Sequence, residues 1–224
     1  MFDINNFCNL EHTQAKNYLL SFKYPWQALR ELSEFIMILG DSLNKCEFKN
    51  LAKGIWIHKN ACIAGSAQIC PPCIIGESTQ VRHCAYIRGS VLIGKNCVIG
   101  NSTEIKNSIL FDGVQVPHYN YIGDSILGYK AHLGAGAVTS NVKSDKSEVC
   151  FTYEGEIINT EMKKFGAIIG DECEIGCGSV LNPGSMLGRN TTVYPLTSIR
   201  GVRDSNCIVK SQNECVIKQP DGKV

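Results

Sequence analysis

Isoleucine or valine returns every six residues from Ile57 to Ile105: Ile57, Ile63, Ile69, Ile75, Val81, Ile87, Ile93, Ile99 and Ile105. The step resumes at Ile169, Ile175, Leu181, Leu187, Val193 and Ile199. A helix returns to one face every 3.6 residues and a strand every two, so neither sustains a period of six. Short strands joined by regular turns do, and hexapeptide periods mark parallel β-helices. With three hexads to a coil, residue i lies beneath residue i+18, and coils stack at roughly 4.8 Å. The aliphatic residue fills the prism. Four places later stands a mostly small residue: Ala61, Ala67, Cys73, Thr79, Ala85, Cys97 and Thr103, then Cys173, Ser179, Ser185, Thr191 and Thr197. Gly often follows the aliphatic, as at Gly76, Gly94, Gly100, Gly170, Gly176 and Gly188, and is expected to supply the positive φ of the corners. A β-sandwich would space its turns irregularly, which argues against one.

Composition adds limits. The formal net charge of +1 gives no drive toward nucleic acid or a membrane surface. No apolar run is long enough to span a bilayer and no export signal is read, so a cytoplasmic protein is expected. Twelve cysteines then fit a reducing compartment. Cys73, Cys97 and Cys173 occupy the small corner slot, a packing use. Cys70-Pro71-Pro72-Cys73 has no second pair at zinc-finger spacing, so no metal site is expected.

Residues 1–50 lack the hexad. Trp26, Leu29, Leu32, Ile36 and Leu39 follow helical steps, with Pro25 suited to a first turn and Gly40 to a stop. A shorter helix is expected around 15–21. This segment is expected to cap the open end of the prism. The β-helix domain is assigned to 51–210. Between Ile105 and Leu127 the register slips, and a bulge out of the coil is expected there. A protruding loop is assigned to 142–166, with a hairpin around Glu154-Gly155-Glu156. From Gly201 the sequence turns basic and polar, and 211–224 is assigned to an exposed tail.

Loops on a regular scaffold carry function. His118, between Pro117 and Tyr119, is the strongest general-base candidate, because imidazole titrates near neutrality. Arg88, Lys106 and Lys164 form a candidate anion clasp, with Glu104 as partial counter-charge. Arg88 and Lys106, eighteen apart, should stack on one edge.

These residues resemble a known family. Arg88…Glu104-Ile105-Lys106…His118…Tyr121-Ile122-Gly123-Asp124 is similar to the active-site run of the left-handed β-helix acetyltransferase domain of the bifunctional glucosamine-1-phosphate acetyltransferase / N-acetylglucosamine-1-phosphate uridyltransferase family. Leu133-Gly134-Ala135-Gly136, Thr139-Ser140-Asn141 and Lys163-Lys164-Phe165-Gly166-Ala167 continue the likeness. It covers about residues 55–210. The resemblance implies a mainly β, left-handed parallel β-helix that moves an acetyl group from acetyl-CoA to the amine of an amino-sugar phosphate, glucosamine 1-phosphate, without a metal. On it, His118 would be the base and Glu104 would orient that base or the amine. Arg88 and Lys106 would hold the phosphate, and Tyr121, Asn141 and Lys164 the sugar. Ala135, Cys177 and Pro195 would line the coenzyme arm, and Lys210 would meet a coenzyme phosphate. A homotrimer is implied, as is a separate nucleotidyltransferase, because no uridyltransferase domain is read in this sequence. His132 and Val142 depart from the family, which carries a sugar-binding Asn and a Tyr there. The alternatives are an acyltransferase for another, nucleotide-linked sugar, or a silent β-helix module that partners a sugar nucleotidyltransferase. A γ-type carbonic anhydrase needs three zinc-binding histidines that are not spaced correctly here.

Overall fold

The computed structural model describes residues 2–219 and shows a mainly β chain wound as a parallel β-helix. Each coil contributes one short strand to each of three sheets, here the first, second and third faces of a triangular prism. One coil runs through Cys73–Ile75, Gln80–Val81 and Tyr86–Ile87. The eighteen-residue stacking holds, with Ile57 over Ile75 over Ile93 on the first face and Ile63 over Val81 on the second. The hexad aliphatics and the small corner residues form one continuous buried column inside.

The corner chemistry differs from the sequence expectation. The positive φ falls three residues after the aliphatic, on Ser78, Cys84, Ser90, Asn96 and Ser102, at 53–56°. The glycines directly after the aliphatic lie outside that region and serve stacking instead. A methyl on Gly76 would come within 2.4 Å of the Gly94 carbonyl oxygen, and one on Gly176 within 2.3 Å of the Pro195 nitrogen. Neighbouring coils touch backbone to backbone at this slot.

The slip after Ile105 is also not a bulge. Ile93 pairs with Leu110, Ile99 with Val116 and Ile105 with Ile122, all in parallel register. The coil simply turns one residue sooner and stays closed. His118 therefore ends a regular strand, Gln115–His118, opposite Asn101.

The loop departs after Val138–Thr139 and returns at Ala167–Ile169. It carries the hairpin Cys150–Tyr153 and Glu156–Asn159, closed by Glu154 and Gly155, both at positive φ. The described part of the C-terminal segment is largely exposed, as expected, but it is paired into strands. Cys207–Ser211 joins the second face beside Thr192–Val193, and Glu214–Ile217 folds back on it antiparallel. Residues 220–224 of the expected tail lie outside the described residues.

The N-terminal segment forms helices at Lys16–Leu20 and Leu32–Ser42, with a 3-10 turn at Pro25–Leu29. It does not cover the open end; it lies along the first face. Trp56, Ile74, Leu92, Ile109, Ile126, Ile168 and Met186 point outward from that face and are buried under Phe7, Leu19, Trp26, Leu29, Leu32 and Ile36. Val149, Phe151, Met162 and Phe165 of the loop complete this second core. Gly40 lets the second helix settle on the indole, since a methyl there would sit 2.4 Å from Trp56 ring atoms. No helix among the described residues is long and apolar enough to cross a membrane.

Candidate functional site

The candidate residues lie along the third face and its two edges. His118 sits where the second face turns into the third, on the edge farthest from the covered first face. Its backbone is fixed by Asn120, a buried side chain that accepts from the His118 N–H at 3.1 Å. The same Asn120 amide donates to the Gly134 and Ala137 carbonyls at 2.8 and 3.0 Å, tying this corner to the coil above. The His118 residue is exposed, and its ring has no hydrogen-bond partner among the described residues.

Above His118 the same corner slot holds Ala135, Cys177 and Pro195. The Gly136 N–H donates to His118 O, Gly178 N–H to Ala135 O, and Leu196 N–H to Cys177 O, each at 2.9–3.0 Å. All three residues are exposed, so they form a straight ladder rising from the imidazole. Gly134 and Gly136 have given their N–H groups to Ile175 and His118. The Ala135 N–H between them has no partner among the described residues. Lys210 stands farther up, beside Tyr194 on the second face, and pairs with Glu214 at 3.5 Å.

Across the face, Glu104 and Tyr121 are paired neighbours on adjacent strands, Glu104–Lys106 and Tyr121–Gly123. Glu104 Oε1 accepts from Arg88 at 2.8 Å, and no contact joins it to His118 among the described residues. That bond strengthens Arg88's hold on its proton. Tyr121 lies back along its strand over Gly123, where a methyl would meet its hydroxyl at 2.6 Å. Partial burial, then the charges of Asp124 and Glu104, push its phenol above the usual tyrosine range.

On the far edge, Arg88 and Lys106 follow the paired Ile87 and Ile105, so they stack as expected. Asp124 organises this edge. It is 3% exposed, and its Oδ2 accepts from Lys106 at 3.1 Å and from the Asn141 amide, while Oδ1 accepts from Asn107 at 2.8 Å. The returning loop joins it, with Phe165 N–H donating to Asn141 O and Gly166 N–H to Asp124 O. Lys164 is thereby brought beside Asn141, exposed and without an ion-pair partner among the described residues. Asp124, Asn107 and Asn120 are given no role by the sequence alone. Asp124 stood inside the quoted motif, but nothing in its spacing distinguishes a corner acceptor from a surface charge. His132 belongs to the second face and pairs with Glu174 at 2.7 Å, away from this cluster. Val142 is exposed at the loop's start.

No group of three or more metal-ligating side chains exists among the described residues. Cys73 and Cys97 are buried, which raises their thiols, Cys97 to about 12, and leaves them as packing groups.

Comparisons with known proteins follow the same lines. A family model described as the GMPPB C-terminal domain matches residues 69–161. The chain is 32% identical over 90 residues to a bifunctional sugar-1-phosphate nucleotidylyltransferase/acetyltransferase of Sulfurisphaera tokodaii, covering 40% of this chain and 22% of that protein. It is 31% identical over 109 residues to the bifunctional protein GlmU of Methanococcus maripaludis, covering 49% of this chain and 24% of that protein. The chain thus spans about a quarter of the length of these curated relatives. Among solved structures, a hexapeptide transferase family protein from Anaplasma phagocytophilum is similar at TM-score 0.42 and 15% identity, over 75% of this chain and 81% of that one. The acetyltransferase domain of PglB from Neisseria gonorrhoeae, solved with acetyl coenzyme A, is similar at TM-score 0.33 and 18% identity, over 69% and 53%. The sequence matches bear out the resemblance to the bifunctional enzymes.

Proposed function

We propose that the chain is a CoA-dependent N-acetyltransferase that moves an acetyl group from acetyl-CoA to the amine of an amino-sugar phosphate, glucosamine 1-phosphate. The carrying observation is the ladder: an exposed imidazole, without a hydrogen-bond partner among the described residues, stands at the foot of the bare corner formed by Ala135, Cys177 and Pro195. The coenzyme arm lies along that ladder with its thioester at His118, and Lys210 beyond its top faces the coenzyme phosphates. The sugar lies on the third face near Tyr121, with its phosphate toward Arg88, Lys106 and Lys164. The second oxygen of Glu104 orients the amine. As the amine nitrogen bonds to the thioester carbon, His118 takes its proton. The free Ala135 N–H faces the tetrahedral oxyanion. The intermediate then breaks its C–S bond, and the departing thiolate takes the proton back from the imidazolium. The transfer uses no metal. Two copies beyond the first, arranged as a homotrimer, supply the missing walls of a groove that is open in the single chain.

The test is thiol release from acetyl-CoA with a panel of amino-sugar phosphates and nucleotide-linked amino sugars. Glucosamine 1-phosphate is expected to give the highest kcat/KM, and His118→Ala to lower kcat by roughly 10²–10⁴-fold. Unchanged turnover in that variant removes the base assignment; a better nucleotide-linked acceptor removes the acceptor assignment. A second reading, a silent module that partners a sugar nucleotidyltransferase, is favoured by one observation. Arg88 and Lys106 already face Glu104 and Asp124, so two of three cations are internally answered. It predicts a folded chain that releases no thiol with any acceptor.

A further inference from the structure

Two coils below His118, the same edge carries a second imidazole. His83 lies between two nucleophilic side chains: its Nδ1 is 2.6 Å from Ser66 Oγ and its Nε2 is 3.2 Å from Cys84 Sγ. Cys84 N–H donates to the same Ser66 oxygen at 3.2 Å, which fixes the hydroxyl across the corner. All three residues are exposed. Cys84 is held at φ 56°, so its side chain projects from the corner rather than packing inward like Cys73 or Cys97.

We propose that Cys84 is an activated thiol, with His83 as its base and Ser66 as the group that orients the base, and that it accepts a low-molecular-weight disulfide. The imidazole bridges the two groups, with one ring nitrogen in hydrogen-bond reach of the Ser66 hydroxyl and the other of the Cys84 sulfur. A nucleophile in hydrogen-bond reach of a base that is itself oriented by a third group is the arrangement that activates thiols. Ser66, His83 and Cys84 all stand exposed on one corner of the single chain, a setting that suits a reaction needing access to sulfur more than one that builds an oxyanion. Disulfide exchange needs only in-line access to sulfur. The Cys84 proton passes to His83 Nε2, and the thiolate attacks one sulfur of R–S–S–R. The Cys84–S–R bond forms as the old S–S bond breaks. The Cys84 sulfur is oxidised, the departing sulfur is reduced, and R–S⁻ takes the proton from the imidazolium. The proposal is independent of the acetyl-transfer reading.

The chain supplies its own controls. Cys46 and Cys62 are exposed with no basic side chain bonded to their sulfur among the described residues, and Cys150 has Lys143 Nζ at 3.9 Å but no imidazole. The test incubates the full chain with excess glutathione disulfide near neutral pH and follows each cysteine by peptide mass mapping. Cys84 is expected to acquire glutathione about tenfold faster than Cys46 or Cys62, a modest share of what a positioned base supplies because the site is exposed. His83→Gln removes that lead while the circular dichroism spectrum stays that of the parent, and Ser66→Ala reduces it. Equal rates at Cys84, Cys46 and Cys62 overturn the proposal, and so does a Cys84 lead that survives His83→Gln.

Discussion

Replacing Asp124 by Asn is predicted to cost nearly as much as replacing it by Ala. Both Asp124 oxygens act as acceptors. One takes Asn107, the other takes Lys106 and Asn141, and no donor is asked of the side chain. An asparagine turns one oxygen into an NH2 that must face either the Asn107 amide or the Lys106 and Asn141 donors. Rotating the amide only moves the conflict. Losing one partner of a buried ion pair costs about 3–5 kcal/mol; Lys106 keeps 21% of its side chain exposed, so the low end, about 3 kcal/mol, applies. For a chain of this size that lowers Tm by about 6–12 °C. The loss should spread, because Asn107 also donates to Leu29 O in the N-terminal segment and Gly166 N–H holds the returning loop to Asp124 O. Thermal unfolding followed by circular dichroism is the assay, with Lys106→Met in both the parent and the Asp124→Ala background. Lys106→Met should cost less by about 1 kcal/mol or more when Asp124 is already gone, since the two residues share one interaction. An Asp124→Asn variant melting within about 2 °C of the parent would refute the acceptor-only argument.

Two further predictions concern packing and pH. Gly100→Ala should fold poorly or lose several kcal/mol, because its methyl would lie 1.5 Å from the Pro117 carbonyl oxygen, whereas Gly65→Ala meets nothing within 4 Å and should be neutral or gain about 0.4–1 kcal/mol. Equal urea midpoints for the two variants would contradict the stacking role of this slot. Burial pushes the Tyr18 and Tyr121 phenols upward, with nearby carboxylates adding to it. The folded chain therefore holds these protons more tightly than the unfolded one. Their contribution is complete below about pH 10, the ordinary tyrosine value, and drains as pH rises through the folded values. The urea midpoint should fall above pH 10, less steeply in Tyr18→Phe and Tyr121→Phe; a flat profile in the parent would count against it.

The inner column was readable from sequence because every coil asks for the same thing at the same place. The path of the N-terminal segment leaves a weaker trace in the sequence. On every third hexad the residue before the aliphatic is itself large and apolar: Trp56, Ile74, Leu92, Ile109, Ile126, Ile168 and Met186. On the other two faces that position is mixed: Gln68, Gln80, Glu104, Gln115, His132 and Glu174 alternate with Cys62, Tyr86, Val98, Tyr121, Val138 and Val180. Only the first face is large and apolar there in every coil, a period of eighteen over the period of six that matches the face the N-terminal segment covers. In sequence the slip after Ile105 looks like a bulge because a missing residue and an outward loop break the count alike; only pairing on all three faces separates them. Within the candidate site, stacking of Arg88 over Lys106 followed from spacing alone. The Arg88–Glu104 bond did not, because side chains on neighbouring strands choose partners by reach and rotamer. Asn120 and Asp124 were hidden for the same reason, since each acts through contacts with residues one coil away.

A triangular prism has an edge opposite each face. By folding its own N-terminal segment over the first face, the chain withdraws that side from any neighbour and leaves two flanks that meet at the line of His83, Asn101, His118, Ala135, Cys177 and Pro195. A second copy that approaches either flank arrives beside that line. Self-covering thus acts as a choice of orientation: the segment farthest from the imidazole decides which side of the molecule the imidazole can share.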